Sequence, residues 1–175
     1  MWIFGYGSLI WRPDFPHVES VVAGLRDWKR AFTQGSPDHR GTPEEPGRVV
    51  TLRPAPGAVC WGVAYRVHER DADDVLRRLD HREQGGYDRL SVSLIGQEAE
   101  TSPWRATTYV APPGNPHDLG EASLSEMVDQ IAMARGPSGL NRAYVLRLHE
   151  ALQDRQLGDP EVAVIANALV ERAAP

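Results

Sequence analysis

The stretch Trp2-Ile-Phe-Gly-Tyr-Gly-Ser-Leu-Ile-Trp11 is an apolar run that two closely spaced glycines interrupt. A short apolar run followed by glycines is typical of a buried strand that ends in a tight turn. The backbone N–H groups of such a turn can hold an anion or a developing oxyanion. The stretch therefore predicts either a binding turn after the first strand or a β-hairpin without chemistry.

The composition predicts one globular domain over residues 1–175. Its apolar share of 41% and charged share of 25% are ordinary for such a domain. The net charge of −5 argues against a nucleic acid or an anionic membrane as the main partner. No run approaches the ~20 apolar residues of a membrane span, and the N-terminus has no signal-peptide pattern. We therefore expect a cytoplasmic protein.

Cysteine and histidine usage bears on disulfides and metals. The single cysteine, Cys60, excludes an intramolecular disulfide and a cysteine-built zinc site. It lies in the apolar run Val59-Cys-Trp-Gly-Val-Ala-Tyr65, so we expect it in the core rather than as a reactive thiol. The six histidines show no metal-ligand spacing, and we expect no bound metal.

The first two-thirds of the chain has the alternating, β-branched pattern of strands separated by Gly and Pro. The expected strands are residues 2–4, 18–23, 25–34, 48–53, 58–67, 90–95 and 105–111. Apolar residues at helical spacing predict one helix over residues 72–79, with Asp71 as its N-cap. The long Pro- and Gly-rich segment 35–47 is either a solvated loop or a functional one.

The last third is predicted to be helical. Three apolar stripes at helical spacing cover residues 124–131, 144–152 and 162–170. Asp159 followed by Pro160 has the form of an N-cap and a first helical position. Strands first and helices later predict an α+β fold, with helices beside a mostly antiparallel sheet or barrel.

Two further glycine clusters offer chemistry. Leu79-Asp-His-Arg-Glu-Gln-Gly-Gly-Tyr87 places Glu83 at a helix-to-strand junction, where it is either a positioned base or a solvated residue at a capped helix end. Gly136-Pro-Ser-Gly-Leu-Asn-Arg-Ala-Tyr144 enters a helix, so it is either an anion site or an ordinary cap. Dinucleotide, P-loop and nucleophile-elbow motifs are absent from the sequence. A carboxylate with glycine-rich turns suits metal-free proton transfer coupled to oxyanion stabilisation.

Six blocks, taken in order, resemble the ChaC family of glutathione-specific γ-glutamylcyclotransferases. They are Phe4-Gly-Tyr-Gly-Ser-Leu-Ile-Trp11, Gln34-Gly-Ser-Pro-Asp-His-Arg-Gly-Thr-Pro43, Pro46-Gly-Arg-Val-Val-Thr-Leu52, Trp61-Gly-Val-Ala-Tyr65, Leu79-Asp-His-Arg-Glu-Gln-Gly-Gly-Tyr87 and Gly136-Pro-Ser-Gly-Leu-Asn141. One departure is Pro37, where the family pattern has threonine, and proline stiffens the loop there. The resemblance implies a γ-glutamylcyclotransferase-like fold, a small mixed β-barrel flanked by helices.

The resemblance also implies a reaction without metal or cofactor, in which glutathione is split into 5-oxoproline and cysteinylglycine. It implies no obligatory protein partner. By motif position, Glu83 matches the family's catalytic base. The substrate-binding turn matches Phe4, Gly5, Tyr6, Gly7, Ser8 and Leu9. We further expect Asp38 and Arg40 to contact the cysteinylglycine end of the substrate and Tyr144 to line its pocket.

Three alternatives stay open at this point. The same ring closure can act on another γ-glutamyl amino acid or a γ-glutamylamine. A serine amidase using Ser8, Ser36 or Ser138 would form an acyl-enzyme and release free glutamate. A non-catalytic module would bind a γ-glutamyl compound without turnover.

Overall fold

The computed structural model describes residues 1–98 and 102–172. Its elements in chain order are β1 (Trp2–Gly5), a 3₁₀ turn (Ser8–Ile10), β2 (Glu19–Ser36), β3 (Gly47–Arg66), a second 3₁₀ turn (Glu69–Asp71), α1 (Ala72–Arg82), β4 (Asp88–Ile95), β5 (Trp104–Val110), α2 (Leu124–Met133), β6 (Arg135–Gly136), β7 (Gly139–Leu140), α3 (Asn141–Gln153) and α4 (Pro160–Arg172).

The chain divides into two compact units. The first contains Met1–Arg30 and Leu52–Pro112, and the second contains Ala31–Thr51 and the residues from Pro113 onward. The expectation of a single domain over residues 1–175 stays a prediction.

The first unit contains the pairings that close a β-barrel, in the strand order β1-β3-β2-β4-β5. β1 is antiparallel to β3, with Ile3 opposite Tyr65, and parallel to β5, with Ile3 opposite Thr107. Because β1 is parallel to β5, whereas β2 is antiparallel to β4 and β4 is antiparallel to β5, the barrel is mixed, as the resemblance implied. Its interior is apolar and includes Ile3 and Leu94, both fully buried. Cys60 is buried as well, which confirms the prediction for it.

Two predicted strand breaks are wrong. The expected strands 18–23 and 25–34 are one continuous strand, β2, and the expected strands 48–53 and 58–67 are one continuous strand, β3. Gly24 does not interrupt β2 because it makes room for packing: a Cβ there would lie 2.7 Å from Val59 Cγ1. Pro54 and Pro56 are exposed positions of β3, where a proline is tolerated when its missing N–H would not join the sheet.

Helix α1 also belongs to the first unit. It buries Val75 and Leu79, as the spacing predicted, and it ends at Arg82, three residues beyond the predicted end. Asp71 occupies the N-cap position, but its side chain makes no capping hydrogen bond. The helix instead continues directly from the 3₁₀ turn Glu69–Asp71, so the backbone is already helical where α1 begins.

The second unit contains α2, α3 and α4, which confirms the helical character of the last third. Asp159 caps α4 as predicted, since its Oδ1 accepts the Val162 N–H at 3.1 Å. Two members of the predicted stripes are exposed, namely Leu124 in α2 and Val170 in α4. The buried stripe residues are Val128, Ile131, Tyr144, Val145, Leu148, Leu152, Val162, Ile165 and Leu169.

Candidate active-site groups in the two units

The turn after β1 is the first candidate group. Residues Ser8–Ile10 form one 3₁₀ turn, closed by the Ile10 N–H, which donates to the Gly7 carbonyl oxygen at 3.0 Å. Leu9 and Ile10 are buried and anchor the turn. The N–H groups of Ser8 and Leu9 precede the first bond of the turn, so the turn itself cannot satisfy them. They belong to the N–H groups that the sequence predicts as donors to substrate oxygens, and that role stays a prediction.

Close packing explains Gly5, the last residue of β1. A Cβ at Gly5 would lie 2.6 Å from Leu9 Cβ, which is closer than two non-bonded carbon atoms can approach. A Cβ at Gly62 would meet the Gly5 carbonyl oxygen and the Phe4 ring. Both glycines therefore let the end of β1 lie tightly against the turn and against β3.

Side chains from three other strands hold the main-chain oxygens of the Phe4–Leu9 segment. Arg30, which is 3% exposed, donates from Nε to the Tyr6 carbonyl oxygen at 2.7 Å. The Tyr65 hydroxyl donates to the Leu9 carbonyl oxygen at 2.7 Å, and the Thr108 hydroxyl donates to the Phe4 carbonyl oxygen at 3.0 Å. The segment is thus preorganised by residues of β2, β3 and β5. Tyr65 ends one of the sequence blocks quoted above, whereas Arg30 and Thr108 lie outside them.

Tyr6 itself is tied to β5. Its hydroxyl donates to the Tyr109 carbonyl oxygen at 2.6 Å, and the Tyr109 hydroxyl donates to Asp80 Oδ1 at 2.6 Å. Burial, together with this bond to a carboxylate, raises the pKa of the Tyr109 phenol above its usual range. This chain of bonds links the turn to helix α1, which carries Asp80.

Glu83 follows directly on α1, as predicted. Its N–H donates to the Leu79 carbonyl oxygen at 2.9 Å, so the helix fixes its backbone. Its side chain is 19% exposed, and its Oε1 lies 3.4 Å from Arg82 Nε. Gly86, with a φ of +96°, then turns the chain toward β4.

Arg82 brings the turn and the carboxylate together. Its Nη2 donates to Ser8 Oγ at 2.7 Å, while its Nε lies beside Glu83. In the first unit, Ser8 and Glu83 therefore contact the same guanidinium group, that of Arg82. The sequence interpretation named both of these residues and missed the arginine between them.

The second unit holds the other three predicted residues. Arg40 Nη1 donates to the Ser138 carbonyl oxygen at 2.7 Å, and the Arg40 Cζ lies 5.7 Å from the centre of the Tyr144 ring. Tyr144 is buried, and its hydroxyl accepts the Val50 N–H at 3.4 Å. Asp38 is about half exposed, with its Oδ2 3.8 Å from His39 Nε2. The unit thus brings Arg40 and Tyr144 together.

The loop that carries Arg40 is attached to the β6–β7 hairpin. The Ser138 N–H donates to the His39 carbonyl oxygen at 2.9 Å, and a Cβ at Gly136 would meet that same oxygen and Gly41. The loop is therefore structured and lies within 37–46, since Gly35 and Ser36 belong to β2 and Gly47 to β3.

The three serines considered as nucleophiles have different neighbours. Ser8 Oγ accepts a bond from Arg82, and Ser36 Oγ accepts the Arg40 N–H at 3.0 Å. Ser138 Oγ lies 3.2 Å from His39 Nδ1. Since a nucleophilic serine needs an adjacent base, Ser138 is the one of the three that has an imidazole beside it.

Within residues 1–98 and 102–172, no three His, Cys, Asp or Glu side chains are grouped so as to hold a metal ion. Over the same residues, no helix combines the length and apolarity needed to cross a membrane.

Comparison with known proteins shows the family of the whole chain. The sequence model described as ChaC-like protein matches residues 1–171. The human protein named glutathione-specific γ-glutamylcyclotransferase 1 is 43% identical over 173 residues, covering 97% of this chain and 78% of the human protein. γ-Glutamylcyclotransferase 2-3 of Arabidopsis thaliana is 43% identical over 174 residues, covering 95% of this chain and 87% of its own.

A solved structure resembles the fold over nearly its whole length. The γ-glutamyl cyclotransferase specific to glutathione from yeast superposes with a TM-score of 0.92 at 26% sequence identity. The match covers 98% of this chain and 96% of the yeast chain. The expectation of a γ-glutamylcyclotransferase-like α+β fold is confirmed.

Proposed function

We propose that this chain, which belongs to the ChaC-like family, is a γ-glutamylcyclotransferase that converts glutathione to 5-oxoproline and cysteinylglycine. The observation that supports this most directly is the pairing of a carboxylate, Glu83, with the glycine-rich turn at Ser8 through Arg82. The names of the human and yeast relatives favour glutathione over other γ-glutamyl compounds.

The reaction is an intramolecular acyl transfer. The α-amine of the γ-glutamyl group attacks its own γ-carbonyl carbon, and a five-membered ring closes. The amide bond to the cysteine nitrogen then breaks, so that 5-oxoproline and cysteinylglycine leave without consumption of water. Because nucleophile and carbonyl belong to one molecule, holding the folded conformer supplies much of the acceleration. The chemistry requires a base and an oxyanion site but neither a redox group nor a cofactor.

Glu83 is assigned as the base. The amine arrives as an ammonium ion and must lose a proton before it can attack. A carboxylate that is 19% exposed and fixed at a helix end can hold the ammonium, take the proton and return it to the departing cysteine nitrogen. One residue thereby serves as general base and then as general acid.

The turn is assigned to substrate oxygens. Attack places negative charge on the γ-carbonyl oxygen, and backbone N–H groups of Tyr6, Gly7, Ser8 and Leu9 are the donors proposed for this oxyanion or for the α-carboxylate. The bonds that fix the carbonyl oxygens of Tyr6 and Leu9 hold the peptide units of the segment in place. Preorganised donors of this kind typically lower a barrier by ~3–4 kcal/mol each.

Asp38, Arg40 and Tyr144 are assigned to the cysteinylglycine part of the substrate. In support, the guanidinium of Arg40 lies over the ring of Tyr144 and is held by the Ser138 carbonyl oxygen. A planar guanidinium with a fixed orientation is the side chain best suited to a carboxylate such as that of the terminal glycine. We place the enzyme in the cytoplasm, acting on a small molecule without an obligatory protein partner.

The test is product analysis with purified protein and reduced glutathione, with a chelator present, by mass spectrometry. We expect 5-oxoproline and cysteinylglycine from the wild type and neither from Glu83→Gln, a variant that keeps the shape of the side chain. Glu69→Gln, at an exposed position, is the matched control and keeps full activity. Near-normal turnover by Glu83→Gln would refute the assignment of the base.

The same assay separates the alternatives. Free glutamate in place of 5-oxoproline would indicate the serine amidase, and Ser138→Ala would then test the serine beside His39. No product from glutathione, but ring closure of γ-glutamyl amino acids or γ-glutamylamines, would indicate a different substrate. Saturable binding without any product would indicate a binding module.

A further inference from the structure

Arg82 is the last residue of α1, and its side chain is 24% exposed. Each of its three nitrogens faces a different group. Nη2 donates to Ser8 Oγ at 2.7 Å, Nη1 donates to the Arg12 carbonyl oxygen at 3.1 Å, and Nε lies 3.4 Å from Glu83 Oε1. Because a guanidinium is planar and rigid, these contacts fix the distance between Ser8 and Glu83.

The contact with Ser8 also sets the direction of its hydrogen bonds. A guanidinium group has only donors, so Ser8 Oγ accepts from Arg82. The hydroxyl proton of Ser8 is then directed toward some other acceptor. At a turn proposed to bind substrate oxygens, that proton is a further donor beside the backbone N–H groups.

The charges around Arg82 are balanced by carboxylates on two sides. Asp14 Oδ2 lies 3.7 Å from Nη1 and also pairs with Arg12 Nε at 2.6 Å, while Glu83 lies on the Nε side. With Arg12 and Arg82 facing Asp14 and Glu83, the cluster has two charges of each sign. Arg82 is therefore held by its partners from the Asp14 side and from the Glu83 side.

We propose that Arg82 is a positioning residue of the ring-closure reaction: it holds the Glu83 carboxylate beside the Ser8 turn and fixes the Ser8 hydroxyl as a donor to the substrate. This inference rests on the proposed function. A lysine cannot replace it, because an ammonium is a single point and cannot face Ser8, Arg12 and Glu83 at once in a planar fork.

The experiment measures kcat and KM for glutathione in Arg82→Gln, Arg82→Lys and the control Arg77→Gln. Arg77 lies on the same helix, is exposed and pairs with Asp74. A misplaced catalytic group costs on the order of 100-fold, so we expect kcat of Arg82→Gln to fall by about that factor. Arg82→Lys should not restore it, and Arg77→Gln should match the wild type. Thermal melting reports whether each variant is folded.

A double-mutant cycle with Ser8→Ala separates positioning from folding. In the wild type, Ser8→Ala should raise KM, because a donor to the substrate is lost. In the Arg82→Gln background the same change should have little effect on KM, since the hydroxyl is no longer oriented. A merely structural arginine would give independent, additive effects.

Two results would overturn the inference. One is an unchanged kcat in folded Arg82→Gln, and a rise in KM beside it would make Arg82 a direct substrate ligand. The other is additive effects in the cycle. The proposed function fails separately, and this role with it, if the wild type leaves glutathione intact in the same assay.

Discussion

The side-chain amide of Asn141 pairs with both main-chain polar groups of Arg48. Its Oδ1 accepts the Arg48 N–H at 2.7 Å, and its Nδ2 donates to the Arg48 carbonyl oxygen at 3.0 Å. Asn141 is fully buried, and the Arg48 guanidinium donates to the carbonyl oxygens of Phe32 and Gly120. Burial lowers the pKa of Arg48, yet these bonds stabilise its charge within the second unit.

The first prediction concerns stability. Asn141→Ala would leave the buried N–H and carbonyl of Arg48 without their partners. Each such group costs about 1–3 kcal/mol, so we expect the free energy of unfolding to fall by about 2 kcal/mol or more. Urea denaturation measures it, and Asn167→Ala, at an exposed position of α4, is the control that should change little. Equal stability of the two variants would contradict the prediction.

The second prediction follows from the raised pKa of Tyr109. In the unfolded chain its phenol loses its proton at about pH 10, whereas in the folded protein burial and the bond to Asp80 keep it protonated. The unfolded state thus binds fewer protons above that pH, and stability falls as the pH rises further, at up to about 1.4 kcal/mol per pH unit. Well below that pH both states keep the proton, so the group contributes no slope.

Tyr109→Phe removes this titration. At pH 8 we expect the variant to be somewhat less stable than the wild type, because the substitution removes the bond to Asp80. Around the ordinary tyrosine pKa of about 10, its free energy of unfolding should decline less steeply with pH. Urea denaturation midpoints of both proteins, measured from about one pH unit below that pKa to one above it, give the two pH dependences. Parallel curves for the two proteins would show that Tyr109 titrates normally.

The third prediction concerns the turn. The Cβ of Gly5→Ala would lie 2.6 Å from Leu9 Cβ, so the turn must move away from the end of β1. Because displacement by about 1 Å can cost ~100-fold in rate, we expect kcat/KM for glutathione to fall at least ~10-fold. Gly158→Ala is the control, since a Cβ there meets nothing within 4 Å. Unchanged kinetics in Gly5→Ala would argue against a substrate-binding role for this turn.

Sequence patterns predicted those elements whose formation depends on residues a few positions apart in the chain. Helical spacing of apolar residues predicted α1 and, with it, the position of Glu83 at a helix end. The Asp159-Pro160 pair predicted the start of α4 for the same reason, since capping involves neighbours in the chain. The break predicted within β2 was wrong because Gly24 provides room for Val59 and Trp61, which are distant in sequence. The break predicted within β3 was wrong because Pro54 and Pro56 lie at exposed positions of that strand.

The parts of the candidate site that depend on distant contacts were not predictable in this way. Arg82 meets Ser8 across 74 residues, and Asn141 meets Arg48 across 93. No periodicity identifies such partners, because a periodic pattern records neighbours in the chain and these contacts join residues that are distant in it. In particular, Asn141 lies in the glycine cluster that the sequence offered as an anion site or an ordinary cap, whereas it is the first residue of α3 and its side chain binds a strand.

The last prediction concerns specificity and rests on Arg40. If its guanidinium binds the glycine carboxylate of glutathione, Arg40→Ala should raise KM for glutathione by roughly 10-fold or more, as expected for loss of a charge-assisted hydrogen bond. A γ-glutamyl amino acid lacks that glycine, so its turnover should be unaffected by the substitution. The discrimination between the two substrates would therefore shrink in the variant.

Arg147→Ala, at an exposed position of α3, is the matched control for this loss of charge. Arg40→Lys keeps the charge but not the planar fork that meets the Ser138 carbonyl oxygen and the Tyr144 ring, so it should recover the affinity in part. The Arg40 side chain also attaches its loop to the β6–β7 hairpin, so a substitution there can destabilise the fold. Thermal melting of each variant shows whether such a general loss of structure has occurred. Equal losses of kcat/KM with glutathione and with a γ-glutamyl amino acid would show that Arg40 supports the fold without binding the glycine end of the substrate.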